Sequence, residues 1–525
     1  MSLFRLTWRL SWRGAVIWTV VIAITVFAGA LAYDSAYSTQ LERSVFVATL
    51  GHSRALQALY GPPLRLDTTG GFVSWRYGTA VYLVAGLWAL LTVTRVLRGE
   101  EEQGRADPLL AAPVRPRRLL AAQLAALCLG VVLLALGTTV GCLAAGLAVA
   151  GSVLFGAGCA GVALVFVGLA AVASQLWDSR RRAAGVVGAL LGVAFILRAL
   201  GDGASRGRWL VWTSPIGWAQ RLEPFVGNRA APLALLLSLA ALLIGSAFWL
   251  RARRDAGAGV IASSTREGRM RPVRSAPALD WRLARGGLVA WASGVAFYGV
   301  LLGYLAGDIA EFARKDKNVS DLFARLGGSS VLTVNGFLGL TFSLVAVVLA
   351  VYAGSQISSG RTLETEGRVE PVVAAGVSRI RWLSTRATVG ALSTITLALC
   401  AGAFAWIGTQ LSGEGAHLTG AMGGALNTVP IALLFGGLTV LAFGVVPKLT
   451  TAVAYGAVAV TYLIQFIGAI ANAPSWILDP SPFPHLAAVP FHSVNVTATC
   501  IMLAVALALF ALGTMAFRRR DLTEL

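Results

Sequence analysis

The chain has 525 residues, of which 57% are hydrophobic and 13% charged, and its mean hydropathy is +0.73. A soluble domain carries about twice that fraction of charged side chains, so the composition excludes an ordinary soluble protein. The formal net charge of +19 would point to nucleic acid in a soluble protein. No basic stripe interleaved with aromatic residues and no nucleic-acid motif occurs, and we therefore expect no nucleic-acid partner.

Twelve mainly apolar stretches of 18 or more residues are each long enough to cross ~30 Å of hydrocarbon as a helix. In chain order they lie at about 14–33, 77–94, 120–149, 152–175, 183–200, 232–250, 286–307, 334–357, 388–411, 421–446, 449–471 and 493–516. With the N-terminus inside, cytoplasmic segments hold 30 of the 43 Lys and Arg residues. This positive-inside distribution predicts that both termini are cytoplasmic.

A charged phrase between the second and third stretches occurs twice. Residues 102–118 align with residues 365–381 at an offset of 263, and twice that offset is about the whole chain length. The aligned identities include Gly104 with Gly367, Arg105 with Arg368, Pro108 with Pro371, and Arg118 with Arg381. The pair Ser214-Pro215 likewise returns as Ser481-Pro482. The repeat predicts two tandem copies.

The predicted domains follow from this repeat. Residues 1–250 form the first six-helix half, 251–280 a basic cytoplasmic linker, and 281–525 the second half. Residues 1–13 carry arginines every fourth position, which favours an elbow helix in the membrane interface, or else a simple charged flank to the first span. Because six spans is an even number, both halves enter the membrane the same way up, with a pseudo-twofold axis along the membrane normal.

Each copy of the phrase predicts a short cytoplasmic helix, at about 107–113 and about 370–376. Asp107-Pro108 and Glu370-Pro371 are typical helix starts, and Pro113 or Gly376 stops the helix. Two exposed aliphatic side chains then face the cytosol in each copy, as docking onto another protein requires; they are Leu109 and Leu110, or Val372 and Val373. The alternative is a solvated charged loop. We expect the preceding acids to pair with Arg105 and Arg368 or with basic residues of a partner; these acids are Glu100, Glu101, Glu102, Glu364 and Glu366.

The string E-E-x-x-G-R-x-D-P-L-L-x-x-P-V-x-x-x-R after the second of six spans resembles the cytoplasmic loop of ABC-2-type ABC exporter permeases. The whole chain resembles the fused twelve-span actinobacterial form known for polyketide or tetronasin-like antibiotic export. The resemblance implies an all-α polytopic protein of the bacterial cytoplasmic membrane, made of two parallel six-helix halves. It also implies docking of two copies of an ABC nucleotide-binding subunit onto the residues Glu100, Glu101, Glu102, Gly104, Arg105, Asp107, Pro108, Leu109, Leu110, Glu364, Glu366, Gly367, Arg368, Glu370, Pro371, Val372 and Val373.

The chain itself lacks a phosphate-binding loop, because none of its three lysines, Lys315, Lys317 and Lys448, follows a glycine. We therefore expect no enzyme site and no cofactor in this chain, with ATP and Mg²⁺ on the partner ATPase. The five cysteines lie in apolar spans and the four histidines form no ligand array, so we expect no metal.

The expected function is ATP-driven export of hydrophobic or amphipathic compounds, as in antibiotic or drug efflux, with membrane lipids around the chain. Alternatives are a lipid or cell-envelope precursor exporter, a proton-driven secondary multidrug transporter, and, less in keeping with the residues, a membrane enzyme. The scarcity of charges within the spans argues against proton coupling. The resemblance places the substrate path along the first, second and fifth helices of each half, near Tyr82, Trp88, Phe195, Asn335, Phe337, Phe342, Tyr462 and Gln465.

Overall fold

The computed structural model describes residues 3–50, 54–105, 115–203, 208–254, 259–261, 275–315, 333–413, 415–470 and 474–520. Within these ranges the regular secondary structure is entirely helical. The chain divides into two compact units, Met1–Gly268 and Arg269–Leu525, which are called unit 1 and unit 2 below.

In unit 1, the described helices are α1 Leu3–Ala36, α2 Gln40–Leu50, α3 Arg54–Tyr60, α4 Thr69–Thr94, α5 Pro116–Ala144, α6 Val149–Leu176, α7 Arg180–Gly203, α8 Pro215–Gln220 and α9 Ala231–Arg251. A π-helical turn, Arg95–Gly99, and a last turn, Glu100–Glu102, extend α4 without interruption. A short 3₁₀ helix, Arg208–Thr213, precedes α8. The long helices pack side by side, with α1 along α5 and α6 between α4 and α9.

In unit 2, the described helices are α10 Ala276–Lys315, α11 Val334–Thr365, α12 Glu370–Ala374, α13 Arg379–Ser412, α14 Leu418–Leu426, α15 Val429–Val445, α16 Thr450–Ile470, α17 Ser475–Leu478 and α18 Val496–Arg519. Here α10 packs along α13, and α15 along α18. Each unit therefore places its first long helix against its third.

Eleven helical stretches of the described residues are long and apolar enough to cross a membrane, and one of them, Leu418–Val445, consists of α14 and α15 together. They correspond to all of the predicted spans except 449–471. That stretch is helical, as α16, but it is not among the eleven. The prediction of an all-helical, multi-pass chain is confirmed, whereas the twelve-span layout stays a prediction.

Two helix boundaries differ from the sequence prediction. The predicted elbow, residues 1–13, is not a separate element, because α1 runs unbroken from Leu3. No proline interrupts this stretch, and the Ser11 hydroxyl donates to the Thr7 carbonyl oxygen one turn earlier, at 3.1 Å, so nothing there stops the helix. The predicted span 421–446 is divided between α14 and α15 at Asn427 and Thr428, because Pro430 can occupy only the first turn of a new helix.

The second long helix of each unit begins with the same cap. The Thr68 Oγ1 atom accepts the Gly71 N–H at 3.2 Å in unit 1. The Thr333 Oγ1 atom accepts the Gly336 N–H at 3.1 Å in unit 2. A threonine in this position satisfies one of the free N–H groups of the first turn. The cap fixes where each helix starts, and the charged phrase follows at its other end.

Candidate functional site

The far end of α4 carries a buried cluster of charged side chains. The Glu101 carboxylate lies 2.9 Å from Arg98 Nη1 and 3.0 Å from Arg251 Nη1, and it also contacts Arg254. All three guanidinium groups are almost fully buried, and Glu101 is 10% exposed. One carboxylate therefore neutralises part of the charge of three arginines away from water. Removing one partner from such a buried set is strongly destabilising.

Carbonyl oxygens of the backbone and of one glutamine side chain accept further hydrogen bonds from these arginines. Arg254 donates to the Ser174 carbonyl oxygen at 3.0 Å and to the Gln175 Oε1 atom at 2.7 Å. Arg98 donates through Nε to the Asp178 carbonyl oxygen at 2.8 Å. The last carbonyl groups of a helix such as α6 have no partner within the helix and form the negative end of its dipole. The cluster thus fastens the ends of α4, α6 and α9 together. Burial lowers the pKa of Arg254 to about 10, so this guanidinium is still charged at neutral pH.

Unit 2 has the same arrangement at the end of α11. The Glu364 carboxylate lies 3.4 Å from Arg361 Nη1 and contacts Arg520. Arg520 also donates to the Phe443 carbonyl oxygen at 2.9 Å, in the last turn of α15. The Glu364 side chain is 3% exposed. This second cluster fastens the ends of α11, α15 and α18 together.

The two clusters correspond in the repeat. The offset of 263 relates Arg98 to Arg361 and Glu101 to Glu364, while Arg254 and Arg520 each follow the last long helix of their unit. Sequence analysis grouped Glu101 and Glu364 with docking residues and missed all of these arginines. The available signal was the spacing R-x-x-E in both copies, which puts the two side chains on one helical face. In the structure both acids are buried against arginines of their own unit, so neither is open to a partner protein.

The other acids of the phrase lie nearer the surface. Glu100 pairs with Arg105 at 2.8 Å, and Glu366 pairs with Arg368 at 3.1 Å, so the predicted pairing with these two arginines is present. The hydrogen bonds that Arg105 donates to the Glu100 carboxylate raise the pKa of Arg105. Glu102 accepts the backbone N–H of Arg180 at 3.0 Å and so binds the start of α7. These exposed pairs contribute little stability, which leaves the outer surface of the phrase free of a strong structural role.

Glycine ends the helix in both copies at the same position. Gly104 has a φ of +68° and Gly367 a φ of +67°. Left-handed backbone of this kind costs other residues more than glycine, and it commonly terminates helices. The shared Gly-Arg of the repeated phrase therefore marks a turn by which the chain leaves the membrane-spanning helix.

The predicted short helix of unit 2 is present as α12, Glu370–Ala374. Val369 is the capping residue, so Glu370 takes the first helical position and Pro371 the second, one position later than predicted. Gly376, with a φ of +87°, ends the segment as expected. The corresponding residues of unit 1, which include Asp107, Pro108, Leu109 and Leu110, lie outside the described residues.

The aliphatic side chains of α12 are less exposed than predicted. Val372 and Val373 are half-buried against an apolar cluster that includes Trp382 of α13, Phe443 of α15 and Phe517 of α18. They pack there because the ends of these helices offer an apolar surface. The outward face of α12 instead consists of Glu370, Pro371 and Ala374, followed by Ala375.

The surface under α12 consists of the packed aromatic rings of Trp382, Phe443 and Phe517 and is called the aromatic seat below. The centroids of Phe443 and Phe517 are 5.1 Å apart, and that of Trp382 is 6.2 Å from Phe443 and 5.9 Å from Phe517. The Arg520 guanidinium lies 5.2 Å from both phenylalanine rings and joins this seat to the Glu364 cluster. Aromatic contacts of this kind contribute beyond their buried area. α12 therefore rests on side chains that belong to three long helices, α13, α15 and α18.

Most of the predicted substrate-path residues are buried within their own unit. Tyr82, Trp88 and Phe195 belong to the core of unit 1, and Phe337 and Phe342 to that of unit 2. Tyr82, for example, packs edge-on against Phe155 at 5.9 Å and donates to the Ala219 carbonyl oxygen. These five side chains are therefore buried in helix packing, and their role along the substrate path stays a prediction. The remaining three are partly or fully exposed: Asn335, Tyr462 and Gln465.

Among the described residues, no three His, Cys, Asp or Glu side chains come close enough to hold a metal ion. An all-helical chain with eleven helical stretches long and apolar enough to cross a membrane, among the described residues, indicates a multi-pass membrane protein.

The comparisons with known proteins give the family. The profile of the family "Multidrug efflux system permease Rv1217c, C-terminal domain" matches residues 1–250 and 273–518. The multidrug efflux system permease protein Rv1217c of Mycobacterium tuberculosis is 34% identical over 528 aligned residues, which cover 99% of this chain and 95% of that protein. The chain therefore belongs to this family of multidrug efflux permeases.

Proposed function

We propose that this protein is the membrane-spanning subunit of an ATP-driven ABC exporter that moves hydrophobic or amphipathic compounds out of the cell. In this proposal two copies of a separate nucleotide-binding subunit carry ATP and Mg²⁺ and dock onto the short cytoplasmic helices. The relative from Mycobacterium tuberculosis is named as a multidrug efflux permease, which supports the class of cargo. The predicted orientation, with both termini in the cytoplasm of a bacterial inner membrane, is part of the proposal.

The observation that carries the proposal is the way α12 is mounted. The helix is short and its outward residues are exposed, as a protein-docking element requires, while Val372 and Val373 pack on the aromatic seat. A push from a docked subunit would reach α13, α15 and α18 through Trp382, Phe443 and Phe517. A solvated loop needs no such seat. The mounting therefore favours transmission of mechanical work over a passive connection.

The corresponding packing of the two units supports a tandem repeat of six-helix halves. A Cβ atom added at Gly168 would meet Leu243 and the Ala240 carbonyl oxygen, and one added at Gly437 would meet the Ala506 backbone. These glycines correspond at an offset of 269, and the two alanines at an offset of 266. Helices that approach through a glycine in the same place share their packing geometry. Two docking helices in one chain then imply two nucleotide-binding subunits.

The proposal is tested by substitution on the outward face of α12. Ala374→Arg adds a long charged side chain where docking is expected and leaves the half-buried valines in place. We expect the number of nucleotide-binding subunits that co-purify to fall from two to about one per chain, and ethidium efflux from energised cells to be lost. Ala252→Arg is the matched control, because Ala252 is also exposed and follows the end of α9. It should change neither quantity.

The source of energy for transport is tested with inhibitors in membrane vesicles. Vanadate, which traps ABC ATPases, should stop ethidium efflux in membrane vesicles supplied with ATP, and a protonophore should leave it intact. Efflux that follows the proton gradient and needs no ATP would instead establish the secondary transporter. Efflux of a labelled phospholipid in place of ethidium would establish the lipid exporter.

A further inference from the structure

An apolar cavity of about 320 Å³ opens in the side of unit 2, between α11, α13, α15 and α18. For comparison, a cavity of about 150 Å³ in a protein core accommodates benzene, and small-molecule pockets start at about 300 Å³. The walls are aliphatic and aromatic, and the mouth lies at the exposed residues Thr388 and Leu507. The cavity is therefore large enough for a flexible hydrocarbon chain.

Small residues create the cavity at positions where unit 1 has large ones. Ala387 and Gly390 of α13 correspond to Leu124 and Leu127 of α5 at the offset of 263. In α15, Gly436 corresponds to Val167 of α6 at an offset of 269, an alignment that also pairs Phe435 with Phe166 and Gly437 with Gly168. Leu124, Leu127 and Val167 are all buried in the core of unit 1. Unit 1 thus fills with its own side chains the space that unit 2 leaves open.

Close helix packing does not explain these two glycines. A Cβ atom at Gly436 would meet only Ala353 Cβ, at 3.5 Å, and one at Gly390 would meet Gln356 Cβ, at 3.4 Å, both ordinary contacts. The next residue, Gly437, is different, because a Cβ atom there would lie 2.7 Å from the Ala506 carbonyl oxygen. Glycine is unfavourable inside a helix. Its presence at 390 and 436, where a larger residue would fit, keeps the cavity open.

The charges around the cavity indicate what enters it. Arg381 lies two turns from Thr388 on the same face of α13, roughly 10 Å along the helix axis. Arg518 lies three turns from Leu507 on the same face of α18, roughly 16 Å along the axis. Both arginines are exposed, and both stand at the helix end where the chain leaves the hydrocarbon region. An anionic headgroup at that level would have its hydrocarbon chain beside the mouth.

We propose that the cavity binds one acyl chain of an anionic phospholipid from the adjacent leaflet, with the phosphate at Arg381 and Arg518. The lining offers the Thr388 hydroxyl as its polar side chain, so the cavity selects for hydrocarbon, and the arginines select for the charge of the headgroup. In unit 1 the corresponding positions hold the buried residues Leu124, Leu127 and Val167, so we expect one such site per chain.

The test uses the full chain in mild detergent with added phosphatidylglycerol, and native mass spectrometry counts the lipids retained. Gly436→Val and Gly390→Leu give unit 2 the residues of unit 1. Each should lose one bound phosphatidylglycerol, with binding at least about tenfold weaker, the factor expected when two methylene groups lose their contacts. Gly294→Val is the matched control: Gly294 lies on the exposed surface of α10 and nothing stands within 4 Å of its added Cβ. It should retain the lipid.

A second measurement needs no variant. Phosphatidylglycerol with a diazirine in the middle of one acyl chain should crosslink, on illumination of the wild-type protein, to peptides that contain residues 387–391 and 503–510. Phosphatidylcholine with the same chain should crosslink more weakly, and Arg381→Gln with Arg518→Gln should remove the difference between the two lipids. Crosslinks confined to other helices, or equal retention by the filled variants and the wild type, would overturn the proposal. Equal crosslinking of both lipids by the wild type would overturn its anionic selectivity and leave an apolar cavity for any hydrocarbon.

Discussion

Replacing Glu101 with Gln should release the end of α4 from α6 and α9. The substitution preserves size and removes a carboxylate that contacts Arg98, Arg251 and Arg254. Breaking a buried ion pair by removing one partner costs about 3–5 kcal/mol. Arg98 and Arg254 keep their hydrogen bonds to carbonyl oxygens, which favours the lower end, about 3 kcal/mol. At roughly 2 °C per kcal/mol for a large domain, the melting temperature should fall by roughly 6 °C or more.

A thiol-reactive fluorophore reports this transition in detergent, because Cys142 and Cys159 are buried and free. Glu102→Gln is the matched control. Glu102 is exposed and accepts the Arg180 backbone N–H, so the loss of its charge should cost less than about 1 kcal/mol. Adding Arg254→Met to Glu101→Gln should restore part of the loss, since it removes one of the unpaired buried charges. Equal melting temperatures for the two glutamine variants would refute the structural role of the cluster.

Two further substitutions test the packing around the helix ends. Ser214→Ala removes a buried hydroxyl that donates to the Ala194 carbonyl oxygen at 2.7 Å and caps α8. We expect this change to lower the free energy of unfolding by about 1–3 kcal/mol in the same thermal assay. Ser238→Ala, at an exposed hydroxyl of α9, is the control and should leave the melting temperature nearly unchanged. Trp382→Ala empties the aromatic seat and should cost about 3–5 kcal/mol; α12 should then become accessible to limited proteolysis, and resistance equal to that of the wild type would show that the seat does not hold this helix.

Much of the helical framework follows from local sequence. Uncharged runs of about 20 residues predict spans because lipid offers no partner for an unpaired backbone group. The sequence also predicts the short helix α12, since Pro371 and Gly376 act within a few residues. The break between α14 and α15 was missed, although Pro430 was visible in the sequence.

The candidate site was harder to predict, because its residues are distant in the chain. Arg254 reaches Glu101 across 153 positions, and Arg520 reaches Glu364 across 156. The sequence alone does not show which of the three acids in E-E-E points into the protein. Their direction depends on the π-helical turn at Arg95–Gly99, which rotates the helix face just before these acids. The burial of Val372 and Val373 likewise depends on where the ends of three other helices lie.

The joining of both units in one polypeptide has an evolutionary consequence. In a homodimer every substitution appears twice, so a residue that opens a space in one subunit opens it in the other as well. Here Leu127 and Gly390 occupy corresponding positions and differ, as do Val167 and Gly436. Because both units lie in one polypeptide, one unit can carry a small residue where the other carries a large one, and the two can differ in what they bind.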